Sequence, residues 1–199
     1  MGKKRFLVGL LFLIGLLFSQ TFAAETVELK VGASPTPHAG ILEAIKPMLA
    51  AEGIQLRIIE FQDYVQPNLA LAEGELDANF FQHVPYLEQF AEDHRLELTY
   101  IAKVHIEPMG IYSKKITKLE QLRNRAVVAV PNDPTNCGRA LMLLEQANLI
   151  ELRDGVGLLA TEFDIVKNPK KIQVKALEAA QLPRILPEVD LAVINTNYA

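Results

Sequence analysis

Strand-like segments alternate with segments of helical periodicity along this chain of 199 residues. Apolar and polar residues alternate at 27–31, and apolar residues then recur at helical spacing over 41–49. The pairing repeats up to residue 112, which gives the order βαβαβαβ. Helices between successive strands are typical of parallel sheets, because a parallel crossover needs a long connection. The sequence therefore predicts an α/β fold with mostly parallel sheets and helices on both faces.

Proline and glycine positions refine the predicted elements. Pro47 lies inside the first helical segment and predicts a kink or division there, since proline removes a backbone donor. The extended segment at 98–112 is expected to be interrupted at Pro108 and Gly110. Further strands are predicted at 54–61, 76–81, 126–130, 172–176 and 191–194, and further helices at 63–74, 118–122, 138–147 and 179–186.

The segment 126–141 is a strand, a tight polar loop and a helix. Pro131 and Pro134 end the strand, and Thr135 or Asn136 is expected to cap the helix. Arg139 falls in the first helical turn, where free backbone N–H groups and a guanidinium would point at one place. This arrangement predicts a receptor for a small anion such as a carboxylate. The alternative is an ordinary capped helix with a solvated arginine.

Polar and aromatic side chains follow several of the predicted strands. In open α/β sheets the carboxyl edge of the strands is where ligands bind. The mixture of aromatic, amide and cationic groups suits a zwitterion with an apolar tail, so a binding cleft is predicted at this edge. Its side chains are Tyr64, Phe81, His83, Tyr86, Arg139 and Asn195.

The N-terminus has the pattern of a cleavable signal peptide over residues 1–23. Lys3, Lys4 and Arg5 precede an apolar run at 6–18, which is too short to span a membrane. Cleavage is expected after Ala23, and no cysteine lies there for lipid attachment. We therefore expect a periplasmic protein, although an uncleaved anchor is an alternative. The net charge of −4 and the scattered basic residues argue against a nucleic-acid partner.

Three long segments resemble the methionine-binding NlpA/MetQ family of ABC-transporter substrate-binding proteins. They read FQDYVQPNLALAEGELDANFFQHVPYL at 61–87, KVHIEPMGIYSKK at 103–115 and NDPTNCGRAL at 132–141. The resemblance implies a two-lobed, type II periplasmic-binding fold that holds an amino acid between the lobes. Lobe one would begin with 24–109, lobe two would comprise 110–194, and 195–199 would start the return to lobe one. Because the family continues further, we expect a truncated member with an incomplete lobe one and weak binding.

The same resemblance implies the ligand and the partners. The ligand would be L- or D-methionine or a similar apolar amino acid, delivered to a cognate ABC permease and ATPase. We expect a monomer that has no cofactor and is not an enzyme. Arg139 would pair with the ligand carboxylate, Asn195 would hold the polar end, and Asn136 would also bind the ligand. The expected walls of the side-chain pocket are Tyr64, Phe81, His83 and Tyr86.

Two departures from the family pattern matter. Typical members are lipoproteins with a cysteine at the cleavage site, whereas this chain has Ala23 and Ala24. Cys137 stands where the family motif has Glu or Gly, and its place near a helix N-terminus and Arg139 predicts enhanced thiolate character.

Three other functions are weighed against amino-acid binding. A metal-binding transport protein would use some of four histidines, but none is paired at a ligand spacing such as His-x-His. An enzyme would use Cys137 as nucleophile and His83 as base, without an evident third group. A non-binding structural remnant would leave the cleft residues unexplained. Glu107 is interpreted as a structural residue on a strand.

Overall fold

The structure is a computed structural model that describes residues 26–199. The predicted signal peptide at 1–23 lies outside the described residues. Among the described helices, none has both the length and the apolar composition needed to cross a bilayer.

A three-stranded parallel sheet is built from the first part of the chain. Its strands β1, β2 and β3 are arranged in the order β2-β1-β3, and every neighbouring pair is parallel. Helices α1 and α2 connect these strands, and α3 follows the last of them, as the alternating pattern predicts. The bounds are Val27–Ala33 for β1, Gly40–Ala51 for α1, Ile54–Glu60 for β2, Gln66–Ala72 for α2, Ala78–Phe80 for β3 and Val84–His94 for α3.

A four-stranded mixed sheet follows, in the order β4-β9-β5-β8. Strand β4 runs antiparallel to β9, whereas β5 is parallel to both β8 and β9. The small antiparallel pair β6 and β7 lies outside this sheet. The bounds are Met109–Tyr112 for β4, Val127–Pro131 for β5, Pro134–Gln146 for α4, Glu151–Leu152 for β6, Ile165–Lys167 for β7, Gln173–Leu177 for β8, Leu182–Ile185 for α5 and Leu191–Asn195 for β9.

The four-stranded sheet carries the larger hydrophobic core. Val128, Val193, Leu141 and Leu144 are fully buried between its strands and α4. Each such side chain contributes roughly 1.5–3 kcal/mol relative to its exposed state. A smaller cluster around Val31 lies between β1, β2 and α1. The candidate site lies at the carboxyl ends of strands from both sheets, and the two cores hold these strand ends in place.

The predicted division of a helix at Pro47 and the predicted helix cap are wrong. Helix α1 continues through Pro47 from Gly40 to Ala51, so the proline does not divide it. Helix α4 is capped by Asp133, and neither Thr135 nor Asn136 is the cap. Asp133 precedes Pro134, which favours the extended backbone that a capping residue needs. Its Oδ1 then accepts a hydrogen bond from the Asn136 backbone N–H at 2.9 Å.

Two predicted extended segments are shorter in the structure. The strand expected at 76–81 is limited to Ala78–Phe80. The long segment expected at 98–112 becomes the strand β4 only after Pro108, while residues 96–108 form no regular element. Proline has no N–H for a ladder, which places it at the strand's boundary. Gly110 does not interrupt β4, because it pairs with Ile194 inside the sheet.

Candidate functional site

A cavity of about 810 Å³ lies beside the end of β3 and the first turns of α4. The irregular segment before β4 forms another wall. Residues that are far apart in the sequence meet here because strands of both sheets end at this place. The cavity contains every predicted ligand-binding residue in its lining: Tyr64, Phe81, His83, Tyr86, Asn136, Arg139 and Asn195.

Arg139 brings a positive charge to the cavity. Its guanidinium donates to Asn136 Oδ1 at 2.9 Å and to the Glu107 backbone oxygen at 2.8 Å. Within residues 26–199 no carboxylate forms an ion pair with it. Burial lowers the pKa of Arg139, although arginine stays charged in proteins. The side chain is therefore oriented by neutral oxygens and keeps donors for an anion.

Asn136 organises the polar end of the cavity. Its amide nitrogen donates to both Asp133 carboxylate oxygens at 3.0 Å, which fixes the orientation of the side chain. Its Oδ1 then accepts from Arg139 and, at 3.0 Å, from Asn195 Nδ2. Asp133, which caps α4, thus orients Asn136, and through it the Arg139 guanidinium and the Asn195 amide.

Three buried polar atoms near this end have no hydrogen-bond partner in the part of the chain that the structure describes. They are His83 Nε2, Asn195 Oδ1 and Asn197 Nδ2. Buried polar groups are nearly always hydrogen-bonded, and each one left unpaired costs about 1–3 kcal/mol. Together they offer an amide donor, an amide acceptor and an imidazole nitrogen to a polar ligand.

Aromatic rings line another part of the cavity. The Tyr64 ring centroid lies 5.9 Å from those of Phe81 and Tyr86 and 5.2 Å from that of Tyr198. The Tyr64 hydroxyl donates to Asn197 Oδ1 at 2.6 Å, and the Tyr86 hydroxyl donates to the Tyr64 backbone oxygen at 2.7 Å. Burial raises the pKa of both phenols, so they stay neutral. The rings therefore form an apolar wall.

His83 is a neutral group at this site. Burial, and then the charge of Arg139, lowers its pKa to about 4 from the ordinary 6.5. Between these two values the unfolded chain binds a proton that the folded protein excludes. The resulting stability is present above pH 6.5 and is lost as the pH falls towards 4.

This linkage predicts a pH-dependent effect of His83→Gln. Between pH 6.5 and 4.5 the wild type should lose about 1–2 kcal/mol more unfolding free energy than the variant, after discounting for partial exposure. Urea unfolding at both pH values measures the difference. Burial also lowers the pKa of His38, so part of the slope should remain in the variant. Identical slopes in both proteins would contradict a buried neutral His83.

The expectation of a reactive Cys137 is wrong. Its side chain is buried in the core beside α4, and burial raises the pKa of the thiol to about 11. The carboxylates of Glu162 and Asp133 act in the same direction. Burial and these negative charges outweigh the helix N-terminus on which the sequence argument relied.

Cys137 should therefore react slowly with alkylating agents. Raising the thiol pKa from 9.0 to about 11 lowers the thiolate fraction on the order of a hundredfold at pH 8. Labelling with iodoacetamide, followed by mass spectrometry, measures the rate. The same protein unfolded in urea is the control and should react much faster. Fast labelling of the folded protein would restore the prediction of an activated thiol.

Several cavity residues were missed from the sequence. Asn197 lies two residues after Asn195, and this Asn-x-Asn spacing at a strand end is the signal that could have identified it. Glu107 was interpreted as a structural strand residue, but it precedes β4 and lines the cavity. His38 and His105 line it too, although nothing in their spacing links them.

A buried amide network that supports the aromatic wall was also missed. Asn68 is fully buried and exchanges hydrogen bonds with Gln82 at 2.9 and 2.8 Å. Asn79 donates to Asn68 Oδ1 at 2.8 Å. These bonds join α2, β3 and the loop that carries Phe81 and His83, so they hold that loop in one conformation.

Comparisons with known proteins all point to the same protein family. The sequence profile described as NlpA lipoprotein matches residues 29–199. The chain is 52% identical over 149 residues to the D-methionine-binding lipoprotein MetQ of Salmonella typhimurium, covering 74% of this chain and 55% of that protein. The chain thus spans little more than half the length of this relative.

Solved structures show the same similarity. The methionine-binding protein MetQ has a TM-score of 0.84 and 45% identity, over 86% of this chain and 71% of that one. A nutrient-binding protein from Burkholderia cenocepacia, solved bound to methionine, has a TM-score of 0.82 and 46% identity. That match covers 86% of this chain and 73% of the other.

Proposed function

This chain belongs to the NlpA lipoprotein family, and we propose that it is a substrate-binding protein that captures methionine for an ABC importer. The ligand is L- or D-methionine or a similar apolar amino acid. The family resemblance inferred from the three sequence segments is confirmed, and so is the α/β fold with mostly parallel sheets.

One observation carries this proposal. Arg139 faces the cavity with no carboxylate partner among residues 26–199, and an aromatic wall stands in the same cavity. The guanidinium of an arginine can bind a carboxylate through two parallel hydrogen bonds. A solvated surface arginine would not need neighbouring side chains to orient it, whereas Arg139 is oriented. A ligand with a carboxylate at one end and an apolar chain at the other satisfies both features.

The remaining residues take the other parts of the amino acid. Among residues 26–199, Asn195 Oδ1 is an acceptor without a partner, which suits the ligand ammonium, and Asn197 Nδ2 is a donor without a partner, which suits its carboxylate. The thioether lies against Tyr64, Phe81 and Tyr86, where each well-placed sulfur–aromatic contact contributes about 0.3–1.5 kcal/mol. Neutral His83 completes the pocket without adding a charge beside Arg139.

The proposal includes the place and the partners of the protein. It acts outside the cytoplasm as a monomer, exported by the segment at 1–23, and delivers its ligand to a membrane permease with an ATPase. Residues 24–109 and 110–194 form two lobes that meet at the cavity. The role is binding rather than catalysis. The raised pKa of Cys137 argues against the one alternative in which this thiol is a catalytic nucleophile.

Calorimetric titration with methionine and three analogues tests the function. Methionine should bind with one-to-one stoichiometry, and norleucine, which replaces the sulfur by a methylene, should bind somewhat more weakly. The methyl ester removes the carboxylate charge and N-acetylmethionine removes the ammonium, so both should lose affinity by at least about tenfold. Equal affinity for methionine and its methyl ester would contradict the role assigned to Arg139.

A further inference from the structure

Two histidines and a glutamate meet in the cavity lining, although one of the histidines is distant in the sequence from the other two residues. His38 lies in the short helical turn Pro35–Ala39 that follows β1, whereas His105 and Glu107 belong to the irregular segment before β4. The Glu107 Oε1 atom is 2.9 Å from His105 Nε2 and 3.6 Å from His38 Nε2. One ligand atom from each residue lies within 4.8 Å of the others.

We propose that His38, His105 and Glu107 form a binding site for a divalent transition metal ion, with Zn²⁺ as the best fit. Imidazole nitrogens and a carboxylate oxygen are ligands that zinc prefers, at about 2.0–2.2 Å. A tetrahedral ion with such bonds separates its ligand atoms by about 3.4 Å. His38 and Glu107 already have nearly this spacing, and His105 needs to move back by about half an ångström.

The histidine rings are held for this role before any ion binds. Phe80 makes edge-to-face contacts with His38 at a centroid distance of 4.7 Å and with His105 at 5.5 Å. The two imidazole centroids are 5.2 Å apart. A single aromatic residue of β3 therefore fixes both rings beside one carboxylate.

His38 provides an independent observation that points to a ligand. Its residue is only 4% exposed, yet its side chain makes no hydrogen bond to any residue between 26 and 199. Its Nδ1 atom is buried and unpartnered, and its Nε2 atom is 3.6 Å from the Glu107 carboxylate. Burying an imidazole in this way costs free energy unless something bonds to it. A cation bound at Nε2 supplies a bond to this ring, whereas Nδ1 gains none from it.

The remaining coordination position opens onto the cavity. His105 and Glu107 side chains are 28% and 21% exposed, so an ion can reach them from solvent. Three protein ligands and one open position are the arrangement in which zinc keeps a water molecule. The Glu107 backbone oxygen accepts a hydrogen bond from Arg139, so the proposed ion adjoins the amino-acid pocket without using its residues.

Zinc titration of the full chain and of matched variants tests this site. The metal-free wild type, titrated with ZnCl₂ in a calorimeter, should bind one equivalent. His105→Ala and Glu107→Gln should each weaken zinc binding by about tenfold or more. His94→Gln removes a histidine that stacks on Phe90 away from the cluster and should bind zinc like the wild type.

Thermal unfolding separates loss of the site from loss of the fold. Zinc should raise the Tm of the wild type and of His94→Gln, and should raise the Tm of a folded Glu107→Gln clearly less at the same zinc concentration. The absence of stoichiometric zinc binding in the wild type would overturn the proposal. Equal zinc affinity in His105→Ala and His94→Gln would overturn it too. Methionine titration in the presence of a chelator measures amino-acid binding without zinc. The result for the zinc site is thereby kept separate from the result for the amino-acid site.

Discussion

Arg139→Ala should weaken methionine binding by roughly 30-fold to several thousand-fold. The substitution leaves the ligand carboxylate in a partly desolvated cavity without its cationic partner. Truncating one member of such a pair costs about 2–5 kcal/mol, and each 1.4 kcal/mol changes the affinity tenfold. Calorimetric titration of the wild type and the variant under the same conditions measures the effect.

Two further variants show whether charge or geometry carries the effect. Arg139→Lys should also lose affinity, since an ammonium group cannot reproduce the bidentate fork or the bonds to Asn136 and Glu107. Arg184→Ala removes an exposed arginine on α5 and should bind like the wild type. Wild-type affinity in Arg139→Ala would mean that the carboxylate binds elsewhere.

Gly138→Ala should destabilise the protein by about 1–3 kcal/mol or prevent folding. A Cβ atom at this position would lie 1.9 Å from the Leu158 backbone oxygen and 2.4 Å from its carbonyl carbon. Those are backbone atoms, so no side-chain rotation relieves the overlap, and the segment Gly157–Leu159 would have to move away from α4. Forcing extra atoms into a packed site costs energy of this order. Chemical denaturation measures the loss.

The direction of the stability change in Gly138→Ala distinguishes a steric overlap from the ordinary preference of helices for alanine. Alanine is normally favoured over glycine inside a helix by about 0.8–1.0 kcal/mol. Gly40→Ala is the matched control, because Gly40 has helical dihedral angles and a Cβ there meets nothing within 4 Å. That variant should be as stable as the wild type or more stable. A stabilised Gly138→Ala would contradict the close approach of Leu158.

Much of the site could be predicted because its residues follow strands. Alternating apolar residues predicted β1 and β2, and short apolar runs predicted β5 and β9. The carboxyl ends of parallel strands share one edge of a sheet. The sequence alone therefore predicts that Arg139 and Asn195 lie at the same edge. The family resemblance added roles to these positions, and the cavity brings the residues together.

Other features depend on tertiary distances that no local pattern encodes. His38 belongs to a separate segment from His105 and Glu107, and its approach to them, with both rings against Phe80, is a tertiary contact. Cys137 illustrates two local rules in competition. A helix N-terminus lowers a thiol pKa, but burial beside α4 and two carboxylates raises it. Burial at a single position depends on the whole fold, so the sequence alone favoured the wrong outcome.

The capping of α4 shows a smaller limit of the same kind. Asp133, Thr135 and Asn136 are all residue types that cap helices, and the motif places them within four positions. Pro134 decides among them by fixing the first helical residue, which the structure makes evident. The consequence reaches the site, since capping by Asp133 frees the Asn136 side chain to orient Arg139 and Asn195.

A crystal structure of this chain with methionine tests the central claim most directly. The ligand carboxylate should lie about 2.7–2.9 Å from the Arg139 guanidinium nitrogens. The ammonium should meet Asn195 Oδ1, and the thioether should contact Tyr64 and Phe81. Methionine bound at another place, with Arg139 still bonded only to Asn136 and the Glu107 backbone, would contradict it.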